Sequence, residues 1–150
     1  MSMFAAQTTE TIPIPFAPGH TATIRALTGR EIDLAQAEHL KATVAGQSTH
    51  GWAGAFQRRL AQGIATPADA DRALADPLGG YDRHTIVKAG VLSWTLADPV
   101  LSPEAIEGLT DDPLEWFAIE IMKRSKPALF QTVAEAETER KNASGASSAP

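Results

Sequence analysis

Carboxylate side chains crowd the stretch DDPLEWFAIEIMKRS, residues 111–125, next to a Trp-Phe pair. Such a set could hold a divalent cation or supply an acid–base pair. The spacing also fits the start of a helix, with Asp112 as the N-cap, Pro113 at the first helical position and Glu115 as the capping-box acid. The remaining charges complement the helix dipole: Asp111 at its positive end, and Lys123 and Arg124 at its negative end. Helix electrostatics therefore account for the charges, and the sequence predicts no carboxylate site here.

The apolar residues of this stretch need a different explanation. Five of them follow the i, i+3, i+4, i+7, i+8 pattern and form one helix face: Leu114, Phe117, Ala118, Ile121 and Met122. Trp116 and Ile119 lie well round from that face, so a neighbouring helix of the same chain or a partner protein has to cover them. We expect a partner-binding or self-association surface made of Trp94, Trp116, Phe117 and Ile119, with Trp52 and Phe56 as second candidates.

No other group of residues has the spacing of a catalytic or metal site. Four histidines are spread along the chain with no i, i+4 pair and no HExxH motif: His20, His39, His50 and His84. Ser93 lies in GVLSWT, which lacks the second glycine of a GxSxG elbow and falls within a predicted helix. The glycines lack phosphate-loop spacing, and Arg58-Arg59 fits a solvated helix face in an acidic chain. We therefore expect a non-enzymatic protein without catalytic residues, metal or cofactor.

Composition narrows the class of protein further. The chain has 150 residues, a net charge of −5 and no cysteine, which excludes disulfides and thiolate chemistry. An acidic chain is not drawn to nucleic acid or to anionic lipid, so neither is expected as a partner. No apolar run approaches the roughly 20 residues of a membrane span, and the N-terminus lacks the pattern of a signal peptide. These features predict a soluble, cytoplasmic protein.

Alternation of apolar residues with polar residues or prolines, as in a β-strand, is confined to the N-terminal part of the chain. Residues 10–27 predict a β-hairpin with Pro18-Gly19 in its turn. Pro13 and Pro15 cannot donate hydrogen bonds to a neighbouring strand, so the first strand belongs at an edge of the sheet. Because an isolated hairpin is only marginally stable, it must pack on the helices or on another chain.

Helical signals dominate from residue 28 onward. Three helix starts are marked by a capping residue, two of them followed by proline: Thr28 in TGRE, Thr66 before Pro67, and Ser102 before Pro103. Gly63 is expected to end a short helix that contains Trp52 and Phe56. The segment 82–98, DRHTIVKAGVLSWTLAD, is apolar around most of its circumference and is predicted to be the central buried helix.

Together these signals predict a mainly α fold, a compact multi-helix domain with an N-terminal β-hairpin. Residues 1–9 are expected to form a flexible N-terminus, and residues 10–140 a single helical domain that includes the hairpin at 10–27. A last amphipathic piece covers about residues 127–140. The final stretch, 141–150, is small and polar with no apolar period, and is expected to be a disordered tail.

Two segments resemble tail assembly chaperones of long-tailed bacteriophages and related prophages. They run from Ile24 to Glu38 and from Ile86 to Pro127, about two-fifths of the chain. The resemblance is carried by a strand that leads into LTGRE, a helix that ends in GVLSW, a proline-containing loop, an SPEAIEGL turn and the DDPLEWFAIEIMKRSKP helix. These are patterns of helix caps and apolar positions rather than catalytic signatures. The stretch 46–80 resembles no family.

The resemblance implies a non-enzymatic factor made in the cytoplasm of the infected bacterial host and absent from the mature virion. Such a protein binds the tape measure protein, keeps it soluble and helps to recruit tail tube subunits, and it tends to self-associate. Two alternatives remain open. The chain could be a structural tail or head–tail adaptor subunit whose hairpin extends a neighbour's sheet. It could also be a small hydrolase or another enzyme, which would require a perturbed carboxylate pair in an enclosed pocket.

Overall fold

A computed structural model of the protein describes residues 8–45 and 51–131, with only the backbone of residues 51–53. The described chain is mainly α, with six α-helices, a short 3-10 helix and a three-stranded antiparallel sheet, so the predicted fold class is confirmed. The elements in order are β1 Thr9–Pro13, β2 Thr21–Arg25, α1 Gly29–Val44, α2 Gly51–Ala61, α3 Pro67–Ala75, α4 Arg83–Gly90, β3 Val91–Trp94, α5 Pro103–Glu107, α6 Asp111–Ser125 and the 3-10 helix Pro127–Phe130.

The predicted hairpin forms, and β1 lies at an edge as its prolines require. β1 and β2 pair antiparallel in a register that runs from Thr9 opposite Arg25 to Pro13 opposite Thr21. Gly19 turns the chain between them with φ +83°, a conformation that glycine adopts without a steric penalty. The inward face of the hairpin is buried in the core: Ile12, Ile14, Ala22 and Ile24.

The prediction of one long helix over residues 82–98 is wrong beyond Gly90. The helix α4 ends there, and β3 pairs antiparallel with β2 as the third strand. Two physical reasons account for the change. Gly90 is a poor helix former, and β3 satisfies backbone groups on the second edge of β2, which would otherwise lack partners. Ser93 therefore lies in a strand rather than in the middle of a helix.

The helix starts at Thr28, Thr66 and Ser102 are confirmed, because each side chain accepts a hydrogen bond from a backbone N–H of the first turn. Gly63 ends α2 as predicted, with φ +75°. The Gly63 N–H binds the Leu60 carbonyl and the Ile64 N–H binds the Arg59 carbonyl, which together make a Schellman motif.

The predicted start of α6 is wrong. The helix begins at Asp111, and its N-cap is Thr110, whose side chain makes no capping hydrogen bond. Asp112 therefore lies inside the first turn, and Glu115 is not the acid of a capping box. The carboxylate of Glu115 is instead bound by the buried side chain of Arg83.

The core lies between the sheet, α4 and α6. Helix α1 packs on α4, while α2 and α3 pack mainly on each other. The α2–α3 pair is held by an ion pair of 2.5 Å between Arg59 and Asp69. The 3-10 helix at Pro127–Phe130 starts the predicted amphipathic piece at 127–140. Residues 132–150, which include the predicted tail, and residues 1–7 of the predicted flexible N-terminus lie outside the described residues.

Candidate interaction surface

Four aromatic side chains from three separate parts of the chain meet at one place. Phe16 contacts Trp116 and Phe117 in edge-to-face geometry, with ring centroids 5.6 Å and 5.8 Å apart. The Trp116 and Phe117 rings are 5.0 Å apart, and Trp94 lies 6.1 Å from Phe117. These distances are in the range of favourable aromatic pairs. We refer to Phe16, Trp94, Trp116 and Phe117 as the aromatic cluster.

The cluster is built around one buried ring and leaves the other three accessible to solvent. Phe117 is 0% exposed, whereas 43% of Phe16 is exposed. Trp94 and Trp116 are half-buried. Tryptophan is among the residue types most enriched at the energetic centres of protein interfaces. The exposed part of the cluster is therefore a candidate contact surface.

Local structure holds each ring of the cluster in place. Phe16 lies in the β1–β2 turn, where the Ile14 N–H donates to the His20 carbonyl at 2.9 Å. Trp94 ends β3, and its indole N–H donates to the Pro99 carbonyl at 3.1 Å. The other two rings project from α6. Because turn, strand and helix are all tied to the core, the rings keep a fixed arrangement, which lowers the entropic cost of binding.

The structure brings together three of the residues that the sequence singled out, Trp94, Trp116 and Phe117. Phe117 is fully buried, so it supports the other rings and does not itself contact solvent. Ile119 is partly buried against the core. Phe56 is half-buried on α2 and makes none of the ring contacts of the cluster. The side chain of Trp52 lies outside the described residues.

Phe16 is the member of the cluster that sequence reasoning missed. Its alternation with Ile12 and Ile14 in the sequence favours a position in the first strand, but β1 ends at Pro13 and Phe16 lies in the turn. An aromatic residue beside a Pro-Gly turn was the available signal. Phe16, at the tip of the hairpin, also covers part of Trp116.

An arginine joins the edge strand β1 to α6, the helix that carries Trp116 and Phe117. Arg124 of α6 donates to Glu10 of β1 at 2.6 Å and to Glu120 at 3.0 Å. The hydrogen bond and the charge of Arg124 hold the pKa of Glu10 below its usual range. Glu120 lies one helical turn after Trp116. The ion pairs therefore anchor β1 directly beside the cluster.

A second arginine binds Glu115, one of the acidic residues that first suggested a chemical site. Arg83 is 1% exposed and donates all five of its N–H groups. It binds Asp76 at 2.5 Å, both carboxylate oxygens of Glu115 at 3.0 Å and 3.2 Å, and the carbonyls of Leu78 and Tyr81. Both carboxylates are held by the guanidinium group, as expected of a structural charge network.

The described residues offer little else for chemistry. They contain no group of three or more His, Asp or Glu side chains placed to hold a metal ion. An open depression of about 410 Å³ lies between α1 and α4, lined by Glu31, Leu34, Glu38, Thr85, Lys88 and Ala89. Two of its charges are already engaged, because Glu31 binds Arg25 and Lys88 binds Glu107. The depression therefore presents no convergent catalytic groups.

Comparison of the chain with models of known protein families, with curated protein sequences and with solved structures finds no match. Among the helices in residues 8–45 and 51–131, none has the length and apolar composition needed to cross a membrane.

Proposed function

We propose that this protein is a tail assembly chaperone of a long-tailed bacteriophage or prophage. It binds the tape measure protein, keeps that long helical chain soluble and helps to recruit tail tube subunits. It acts without catalysis in the cytoplasm of the bacterial host, and it is absent from the mature virion. The observation that carries the proposal is the aromatic cluster, whose outer rings Phe16, Trp94 and Trp116 are only partly covered.

The position of the cluster in the fold supports the proposal. The segments that resemble tail assembly chaperones, from Ile24 to Glu38 and from Ile86 to Pro127, include the end of β2 and all or most of α1, α4, β3, α5 and α6. Three of the four cluster residues belong to these segments, and Phe16 belongs to the hairpin that pairs with them. The helices α2 and α3 come from the stretch 46–80, which carries no resemblance.

Recognition of a helical client needs an apolar contact surface and no reactive groups. Rigid aromatic rings supply a large contact area at low entropic cost, since each has only two side-chain torsions. The net charge of −5 keeps a protein with such a surface soluble. These properties match what a chaperone of a long helical chain requires.

Co-expression with the tape measure protein of the same phage tests the proposal. We expect the tape measure protein to become soluble and to co-purify with this chain. The variant Trp116→Ala is expected to reduce the co-purified amount at least tenfold, because it removes one of the outer rings of the cluster. Leu74→Ala is the matched control, since Leu74 is 87% exposed on α3 and lies outside the cluster.

Two results would contradict the proposed chaperone function. The first is a tape measure protein whose solubility does not change and that does not co-purify. The second is an equal effect of Trp116→Ala and Leu74→Ala when circular dichroism shows both variants to be folded.

A structural virion subunit is the second candidate function, and the open edges of the sheet favour it. Both β1 and β3 are edge strands of a three-stranded sheet, and an edge strand can pair with a neighbouring subunit. Mass spectrometry of purified phage particles separates the two functions. A stoichiometric amount of this chain in mature particles supports the virion subunit, and its absence supports the chaperone.

A further inference from the structure

We infer that the segment bound by the aromatic cluster is an amphipathic helix with lysine or arginine residues beside its apolar stripe. This inference rests on the proposed function and specifies the chemistry of the client. It is carried by two acidic side chains, Asp98 and Asp112, which flank the two half-buried tryptophans of the cluster.

Asp112 shares a helix face with Trp116. The two residues are four positions apart on α6, which places Asp112 one turn before the tryptophan, about 6 Å along the helix axis. Asp98 lies in the loop that follows β3. It directly precedes Pro99, whose carbonyl accepts the indole N–H of Trp94 at 3.1 Å. Both aspartates are exposed.

Neither aspartate has a partner among the described residues: Asp98 and Asp112 take part in none of the side-chain hydrogen bonds or ion pairs found there. The other carboxylates of α6 are engaged within the chain: Asp111, Glu115 bound by Arg83, and Glu120 bound by Arg124. Lys123, the cation on the same face as Trp116, lies 3.6 Å from Glu120. The unpaired charge next to the exposed rings is therefore negative.

Charge complementarity then indicates which residues the bound helix carries beside its apolar stripe. The apolar stripe of the bound helix covers the rings, and basic residues at the border of that stripe meet Asp98 and Asp112. A client with acidic borders brings like charges together at both positions. Exposed ion pairs add modestly to affinity, but they set the orientation of binding and increase the rate of association. The acidic border therefore selects among helices that share the same apolar stripe.

Two synthetic peptides of 18 residues test the inference on the full chain. Both carry leucines at i, i+3, i+4 and i+7 spacing and no tryptophan. One has lysine and the other glutamate at the positions bordering the stripe. Binding is followed by the tryptophan fluorescence of the protein. We expect the lysine peptide to bind at least tenfold more tightly, and its advantage to shrink as the salt concentration rises.

Charge variants identify the groups responsible for the preference. Asp98→Asn combined with Asp112→Asn is expected to weaken binding of the lysine peptide by about five- to tenfold and not that of the glutamate peptide. Asp33→Asn combined with Asp71→Asn is the matched control. It removes the same charge from exposed positions on α1 and α3, and is expected to leave the preference unchanged.

The inference is overturned if the two peptides bind equally, if neither binds, or if the control pair has the same effect as the test pair. It is also overturned if sedimentation shows that a second copy of the chain occupies the cluster and excludes the peptide. Failure of the proposed function looks different. In that case the lysine preference and its dependence on Asp98 and Asp112 hold, while the tape measure protein does not co-purify.

Discussion

Gly90 lies so close to Ile121 that a Cβ atom at position 90 would be 2.6 Å from the Ile121 Cδ1 atom. The contact joins the end of α4 to the buried face of α6, just where the chain leaves the helix and enters β3. It sets the distance between the two central helices. Trp94, whose ring lies 6.1 Å from that of Phe117, follows four residues later.

We predict that Gly90→Ala destabilises the protein by about 1–3 kcal/mol, because the added methyl group overpacks the interface between α4 and α6. Urea unfolding followed by circular dichroism measures the loss. Gly80→Ala is the control, since a Cβ atom there meets nothing within 4 Å. A Gly90→Ala variant as stable as the control would show that Ile121 can move aside at no cost.

Arg83 gives the second prediction. Arg83→Met removes the guanidinium group that binds the carboxylate of Asp76, whose side chain is 1% exposed, and we expect a loss of about 3–5 kcal/mol in the free energy of unfolding. The measurement is again urea unfolding. Arg30→Met is the control, because Arg30 is exposed on α1 and its removal costs little. If both variants lose similar stability, the Arg83 network does not stabilise the fold.

Local sequence signals were sufficient to predict those elements of the fold that depend on neighbouring residues. The caps at Thr28, Thr66 and Ser102, the glycine end of α2 and the hairpin edge each depend on residues within a few positions of one another. The boundary at Gly90 could not be predicted in this way, because it depends on the approach of Ile121, more than 30 residues later.

The site was predictable only in part, for the same reason. The apolar pattern of the α6 stretch placed Trp116 outside the main apolar face, and this led to the idea of a surface that needs cover. The pairing of Phe16 with Trp116 joins residues 100 positions apart, and no spacing rule reports such a contact. The predicted role of Glu115 as a capping-box acid was wrong for the same reason. Its partner Arg83 is 32 positions away, and the local capping pattern contains no information about that residue.

Glu31 gives the third prediction, which concerns pH. Arg25 binds its carboxylate with two hydrogen bonds, of 2.8 Å and 2.5 Å, and chiefly these lower the pKa of Glu31 to about 2. A depressed pKa in the folded state means that the stabilisation is complete above the unfolded value, near 4.5, and is lost as the pH falls towards 2. We expect about 1–2 kcal/mol to disappear across that range, since the pair is partly exposed.

Urea unfolding at pH 6, 4 and 2.5 measures this dependence. Glu31→Gln is expected to be less stable than the parent protein at pH 6 and to approach it at pH 2.5. Glu38→Gln is the control, because Glu38 forms only an exposed pair with Lys41. A difference between Glu31→Gln and the parent that stays constant with pH would mean that the carboxylate charge does not stabilise the junction of β2 and α1.

The last prediction separates binding from folding at the hairpin tip. Phe16 is 43% exposed and lies in a turn held by its own backbone hydrogen bonds, so Phe16→Ala should cost only about 1–2 kcal/mol of stability. The same change removes one of the outer rings of the cluster and uncovers Trp116. Acrylamide should then quench the tryptophan fluorescence more strongly, and capture of the tape measure protein should fall about tenfold. Leu60→Ala, at a 60% exposed position on α2, removes apolar surface elsewhere and should change neither quantity. Unchanged capture by a folded Phe16→Ala variant would remove the hairpin tip from the binding surface and leave it only a packing role against α6.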